Sequence, residues 1–144
     1  MKPTSLLLLP LSLLFTTTLS LPSNTPRAAL ATGQYFWTVT NYTEGCSPGG
    51  CAYSMTLSTH SSTENEPAFS TTCKGTNVAT AYQACEDPAI ATREVNGFQN
   101  VTLAVRHIYD VGEAQYTIRG NITIKVPEAP TTFDVPQLEI SAIA

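Results

Sequence analysis

Four cysteines in two close pairs constrain this chain more than any other feature. Cys46 and Cys51 enclose four residues, whereas Cys73 and Cys85 enclose 11. An even number of cysteines behind an export signal indicates a framework of disulfides. The turn sequence Ser47-Pro48-Gly49-Gly50 favours Cys46–Cys51, and hence Cys73–Cys85, because it folds the first two sulfurs together. A crossed pairing stays open, while the spacings match no common zinc site.

Residues 1–20 are typical of a secretion signal. Lys2 precedes the apolar run Leu6–Phe15, and small residues lie near Ser20. This run is too short for a membrane span, which needs about 20 apolar residues. We therefore expect a secreted, extracellular protein with no membrane association, in which residues 21–34 form a mature N-terminal segment that is open to trimming.

The charge balance excludes several classes of partner. Without Lys2, six basic residues remain against 11 acids, a formal net charge of −5. An acidic chain with no basic stripe is a poor match for nucleic acid or anionic lipid. No phosphate loop or dinucleotide fingerprint is present, so no cofactor is predicted.

Alternation of apolar and polar residues predicts an all-β fold. Trp37 and Val39 share one face of a strand, as do Met55 and Leu57. The alternation from Ala114 to Val126 is the longest, and Gly120 on its apolar face predicts a bend or bulge. We therefore expect a single compact antiparallel β-barrel or sandwich stabilised by two disulfides.

The predicted β domain covers residues 35–126, and residues 127–144 form a proline-rich tail. This tail is expected to be a loop or to add an edge strand at Leu138–Ile143. No internal repeat or linker indicates a second domain.

No catalytic or metal-binding motif is evident. His107 lies near Asp110 in sequence, but no GxSxG motif supplies a nucleophile, so His107 and His60 are interpreted as structural. The acids at four positions are interpreted as solvated loop residues: Glu64, Glu66, Glu86 and Asp87. We predict no catalytic residue and no metal site.

Aromatic residues and sequons suggest two kinds of surface feature. Alternation places Tyr35 and Trp37 on one face of a strand, with Phe36 and Tyr42 on the other. One face must be core, and Trp37 is predicted to belong to it, whereas the other would be a platform for sugars. Three sequons predict exposed, glycosylated asparagines: Asn41, Asn100 and Asn121.

Several of these segments together resemble the Alternaria major-allergen family of fungal proteins (the Alt a 1-like proteins). The matching segments are Phe36-Trp37-Thr38-Val39, Cys46, Cys51-Ala52-Tyr53-Ser54-Met55, Phe69, Cys73-Lys74-Gly75, Tyr82 with Cys85, and Gln115-Tyr116-Thr117-Ile118 with Gly120. The resemblance implies a β-barrel with the disulfide pairing favoured above. It also implies a secreted allergen, effector or elicitor without an established catalytic centre.

The leading hypothesis is therefore a non-catalytic protein that binds host plant extracellular defence proteins, such as those of the thaumatin-like class. The expected recognition loops are Ser61–Pro67, Asp87–Thr92 and Asp110–Glu113. All four cysteines are used within the chain, so we expect a monomer or a non-covalent dimer. The alternatives are a carbohydrate-binding module of the fungal or host cell wall and a small secreted hydrolase.

Overall fold

The computed structural model describes residues 27–29, 34–61, 65–126 and 129–144, so the expected signal at residues 1–20 lies outside the described residues. The described residues are all β, as predicted, and contain no helix long and apolar enough to cross a membrane. The strands are β1 (Arg27–Ala29), β2 (Phe36–Ser47), β3 (Gly50–Ser61), β4 (Ser70–Thr76), β5 (Gln83–Ala84), β6 (Ile90–Asn96), β7 (Asn100–Val111), β8 (Ala114–Lys125) and β9 (Phe133–Ile143).

Strands β2 to β9 form a nearly closed antiparallel barrel. Their order around the barrel is β4-β3-β2-β9-β8-β7-β6-β5, and β1 pairs with β9 outside this path. The chain tail therefore contains a strand, as expected, but β9 lies between β2 and β8 rather than at an edge. The β domain consequently extends beyond residue 126, because β9 completes the sheet.

The Cys73–Cys85 disulfide joins the two ends of this sheet. It links β4 to the residue that follows β5, and the Glu86 backbone N–H donates to the Thr72 carbonyl at 2.9 Å beside it. The Cys46–Cys51 disulfide instead joins residues directly opposite each other in the β2–β3 hairpin. Both predicted pairings are confirmed, and Cys73–Cys85 is the one that closes the barrel.

The side chain of Gln83 extends the pairing across the same closure. Its Oε1 accepts from the Thr76 N–H at 3.2 Å, and its Nε2 donates to the Thr76 carbonyl at 3.1 Å. The side-chain amide of Gln83 thus takes the place of the backbone hydrogen bonds that a longer β5 would make with β4, since β5 is only two residues long.

Side chains fill the barrel interior, and the alternation predicted most of them. Trp37 is fully buried, as predicted. The other fully or nearly fully buried apolar side chains are Val39, Met55, Leu57, Cys73, Ile90, Val101, Leu103, Val105, Ile118 and Val135. Burial of these side chains supplies the main driving force for folding.

Two irregularities shape the barrel. The pairing of β8 with β9 shifts at Gly120, as predicted, and a Cβ there would lie 2.1 Å from the Pro136 carbonyl oxygen. In β2 the pairing shifts between Thr40 and Thr43, where Asn41 has a φ of 55°. This bulge turns Tyr42 into the interior, so the prediction that Tyr42 shares a face with Phe36 is wrong.

Candidate functional site

One end of the barrel holds a buried carboxylate within the Glu66 cluster, which comprises Trp37, Glu66, His107 and Gln137. Glu66 Oε1 accepts from Trp37 Nε1 at 2.8 Å and from His107 Nδ1 at 2.6 Å. Its Oε2 accepts from Gln137 Nε2 at 2.8 Å. Because the three donors lie on β2, β7 and β9, Glu66 ties three strands to the loop that precedes β4.

The interpretation of Glu66 as a solvated loop acid is therefore wrong. Glu66 is 6% exposed and His107 is 3% exposed. His107 contacts Glu66 rather than the neighbouring Asp110, and the rings of Phe69 and Tyr109 each lie 4.9 Å from its ring. A loop acid is buried here because buried donors from separate strands need an acceptor.

A second buried carboxylate lies in the Glu94 cluster, which comprises Tyr42, Tyr53, Thr92 and Glu94. The Tyr42 hydroxyl donates to Glu94 Oε1 at 2.8 Å, and the Tyr53 and Thr92 hydroxyls are bonded at 2.9 Å. Glu94 is 1% exposed, and its Oε2 has no hydrogen-bond partner among the described residues.

The two clusters occupy different levels of the barrel. Glu94 pairs with Leu103 of β7, whereas Ile90 pairs with His107 of the same strand. Four residues of strand separate these positions, which corresponds to about 13 Å. In the described part of the chain, the two buried glutamates are thus separate carboxylates and do not form a close pair.

Burial gives Glu94 an unusual proton affinity. Desolvation raises the pKa of Glu94 from 4.5 to about 7; the Tyr42 hydrogen bond opposes this shift, and the charge of Glu44 adds to it. Burial likewise raises the pKa values of Tyr42 and Tyr53. A cavity of about 280 Å³ adjoins Glu94, between residues 77–80 and 93–96.

Four acids, three exposed and one half-buried, gather at the end of the barrel nearest the Glu66 cluster. We call Glu86, Asp87, Asp110 and Glu113 the acidic end. The Ile108 N–H donates to the Ala89 carbonyl at 2.9 Å, which holds the turn before β6 beside the end of β7. The described residues 65–69, 85–89 and 110–115 include no Lys or Arg.

The acidic end includes residues of two of the three predicted recognition loops, Asp87–Thr92 and Asp110–Glu113, and one of these loops needs correction. The segment predicted as Asp87–Thr92 leaves the surface at Ile90, since Ile90, Ala91 and Thr92 are buried in β6. Glu86, Asp110 and Glu113 are exposed, whereas Asp87 is half-buried and its Oδ1 accepts from the Ala89 N–H at 2.9 Å. Glu64 lies outside the described residues.

His60 is exposed, and its contacts differ from those of a catalytic histidine. Its ring stacks on Phe36 at 4.4 Å, and its Nδ1 lies 3.3 Å from the Thr38 hydroxyl, which donates to Asp134 at 2.8 Å. In a serine-hydrolase triad the imidazole lies between the acid and the hydroxyl. Here the hydroxyl occupies the middle position, so the group is not a triad.

The predicted aromatic platform is not assembled on one exposed face. Trp37 and Tyr42 are inside the barrel, Tyr35 is half-buried, and Phe36 packs against His60 on the outside.

The three sequons lie at different depths. Asn41 and Asn121 are exposed, whereas Asn100 is half-buried. The threonines of two sequons, Thr102 and Thr123, bond to each other at 2.8 Å across β7 and β8.

Among the described residues, one group has the composition of a metal site: Glu44, Cys46 and Cys51. Both sulfurs are held in the disulfide and offer no thiolate, so the group lacks the ligands a metal needs.

No family model, curated protein or solved structure matches this chain.

Sequence reasoning missed Glu94, although the signal was present. Glu94 shares strand parity with Ile90 and Thr92, and all three face the interior. The polar residues Thr92 and Glu94 face inward, whereas the apolar Val95 faces outward, so the strand lacks the usual alternation of apolar and polar residues and was concealed.

Proposed function

We propose that this chain is a secreted, non-catalytic binding protein of the effector or allergen kind, whose acidic end binds a basic face of a plant extracellular defence protein. The charge of the acidic end carries the proposal, because four acids gather there, the described loops contain no Lys or Arg, and only Lys74 of β4 lines a depression with one of these acids, Glu86. Such a surface favours a partner of opposite potential and speeds its association. The sequence resemblance suggests a thaumatin-like partner.

Two further features support binding rather than catalysis. The acidic end rests on a barrel closed by a disulfide, and a rigid scaffold with polar loops is a common arrangement for recognition. The two carboxylates with the most unusual surroundings, Glu66 and Glu94, are 6% and 1% exposed. A substrate therefore has little direct access to either.

The test is retention of plant extracellular proteins on the immobilised chain, with Glu86→Gln plus Glu113→Gln as the variant. Both side chains are exposed, so the fold should be unaffected. We expect the retained proteins to be basic, with purified thaumatin-like protein as a defined probe. We also expect binding to weaken by about tenfold in the variant and at raised salt.

Glu44→Gln plus Asp134→Asn is the matched control, because it removes two charges away from the acidic end. Equal losses in variant and control would show that only net charge matters. Unchanged binding in the Glu86/Glu113 variant would exclude the acidic end as the binding surface.

A second candidate, the hydrolase, has one observation in its favour. Glu94 adjoins a cavity and has a pKa of about 7, which suits a general acid or base. Screens against esters, peptides and glycans test this candidate. Turnover that disappears in Glu94→Gln while the protein stays folded would support it over binding.

A further inference from the structure

Three arginines meet on the outer face of β6, β7 and β8, although the sequence contains no run of basic residues. Arg93, Arg106 and Arg119 are each 13 positions apart, and successive antiparallel strands bring them side by side. Arg106 lies directly opposite Arg119, and Arg93 lies opposite Ala104. With Tyr82 they form what we call the arginine face. The sequence indicated no basic stripe, because the three arginines come together only through strand pairing.

Tyr82 holds two of the guanidinium groups in place. Its ring centre lies 4.8 Å from Arg106 Cζ and 5.4 Å from Arg93 Cζ. Arg93 Nη1 also donates to the Thr80 carbonyl at 3.2 Å. Cation–π contacts of this kind fix the position of an arginine without neutralising its charge.

The charge of the arginine face is not balanced by close ion pairs among the described residues. Among the described residues, no carboxylate lies within 4.0 Å of these guanidinium groups, and Arg106 and Arg119 make no side-chain hydrogen bond. Like charges directly opposite each other on neighbouring strands are destabilising. Glu139 of β9, directly opposite Arg119, is the one described acid placed against them. Three guanidinium groups against one carboxylate leave an excess of positive charge, which points to an anion supplied from outside.

A groove of about 330 Å³ runs beside these arginines. Its floor includes the small residues Ala104 and Gly120, and its walls include Arg93, Arg119 and Asn121. Glu139 also lines it, so the groove offers a carboxylate acceptor as well as guanidinium donors. Its volume is at the lower end of the range for ligand sites, about 300 to 1,000 Å³.

We propose that this groove binds a short acidic oligosaccharide of the uronic-acid type. The ligand carboxylates would pair with Arg93 and Arg119, since the planar guanidinium matches a carboxylate through two parallel hydrogen bonds. The sugar hydroxyls would donate to Glu139 and bond with Asn121. The acidic charge of the rest of the chain disfavours a long polyanion, and the groove is sized for one or two rings. This site is separate from the acidic end and does not rest on the function proposed above.

The experiment measures binding of trigalacturonate to the full chain by calorimetry. The chain is produced in a bacterial periplasm, which forms disulfides but leaves Asn121 without a glycan beside the groove. Neutral trigalactose, inorganic sulfate and tetra-aspartate are the comparison ligands. We expect saturable binding of trigalacturonate, none of trigalactose, and weaker binding of sulfate and tetra-aspartate.

Arg93→Gln plus Arg119→Gln should weaken binding by about tenfold or more, because hydrogen bonds to charged groups are lost. Lys74→Gln plus Lys125→Gln removes the same charge from exposed positions outside the groove and should change binding by less than about twofold. In the unaltered protein, the Nε–H NMR signal of Arg119 should shift as ligand is added, which tests the site even if a variant unfolds.

Three results would overturn the proposal. Absence of trigalacturonate binding, or equal loss in the arginine and lysine variants, would remove the site. Sulfate binding as tightly as trigalacturonate would indicate a simple anion site without sugar recognition. Tighter binding of tetra-aspartate would assign the groove to acidic peptides instead.

Discussion

Replacing Glu66 with alanine should destabilise this protein more than any other change to a loop acid. The substitution leaves three buried donors without their acceptor: Trp37 Nε1, His107 Nδ1 and Gln137 Nε2. It also releases the loop before β4 from three strands of the barrel. We expect the substitution to loosen the packing at the end of the barrel that includes Trp37.

The size of the effect follows from these three donors. Each buried donor left unpaired costs about 1–3 kcal/mol. Relaxation and entry of water at the loop reduce the sum, so we expect about 3–5 kcal/mol, the range found when one partner of a buried ion pair is removed. Since small domains have total stabilities of about 5–15 kcal/mol, this is a large fraction.

Urea unfolding followed by tryptophan fluorescence measures this directly, because Trp37 is the single tryptophan and bonds to Glu66. Glu66→Gln keeps an acceptor oxygen and should lose less than Glu66→Ala. Glu86→Ala removes an exposed acid and should change stability by less than about 0.5 kcal/mol.

A loss below about 1 kcal/mol for Glu66→Ala, with the Trp37 emission of the native state unchanged, would refute this reasoning. It would mean that the three donors find other partners at no cost, and that the cluster does not hold the barrel end together.

Three further predictions concern pH, the disulfide and the exposed histidine. The folded pKa of Glu94, about 7, lies above 4.5, so the native state binds more protons between these values. The free energy of unfolding should therefore fall by up to about 3 kcal/mol as pH rises from 4.5 to 7, and Glu94→Gln should flatten this dependence in urea titrations. Cys73→Ala plus Cys85→Ala should cost about 3 kcal/mol or more, measured by thermal melting, because it opens the barrel closure. His60→Ala should leave partner binding and melting nearly unchanged, since His60 is exposed; loss of binding by the folded variant would contradict this.

Period-two alternation predicted the barrel and most of its core because each strand has one buried face. Met55 and Leu57 on β3 are buried as the pattern indicates. The turn sequence between Cys46 and Cys51 predicted the first disulfide through purely local geometry. Both kinds of inference need only neighbouring residues.

Features that depend on irregular or distant pairing could not be predicted in this way. The bulge at Asn41 moves Tyr42 from the outer face of β2 to the inner face, and no residue type in β2 predicts this bulge. Glu66 meets donors from β2, β7 and β9, which are up to 71 residues away. The arginine face likewise arises from strand register, since Arg106 and Arg119 meet only when β7 pairs with β8.

Hydrogen–deuterium exchange of the chain with and without a captured plant partner tests the central claim most directly. If the acidic end binds the partner, amides of residues 85–89 and 110–115 should exchange more slowly in the complex. The exchange rates of amides in the β2–β3 hairpin tip, residues 47–50, should not change. Protection confined to the hairpin tip or to the arginine face, with the acidic end unaffected, would contradict the account.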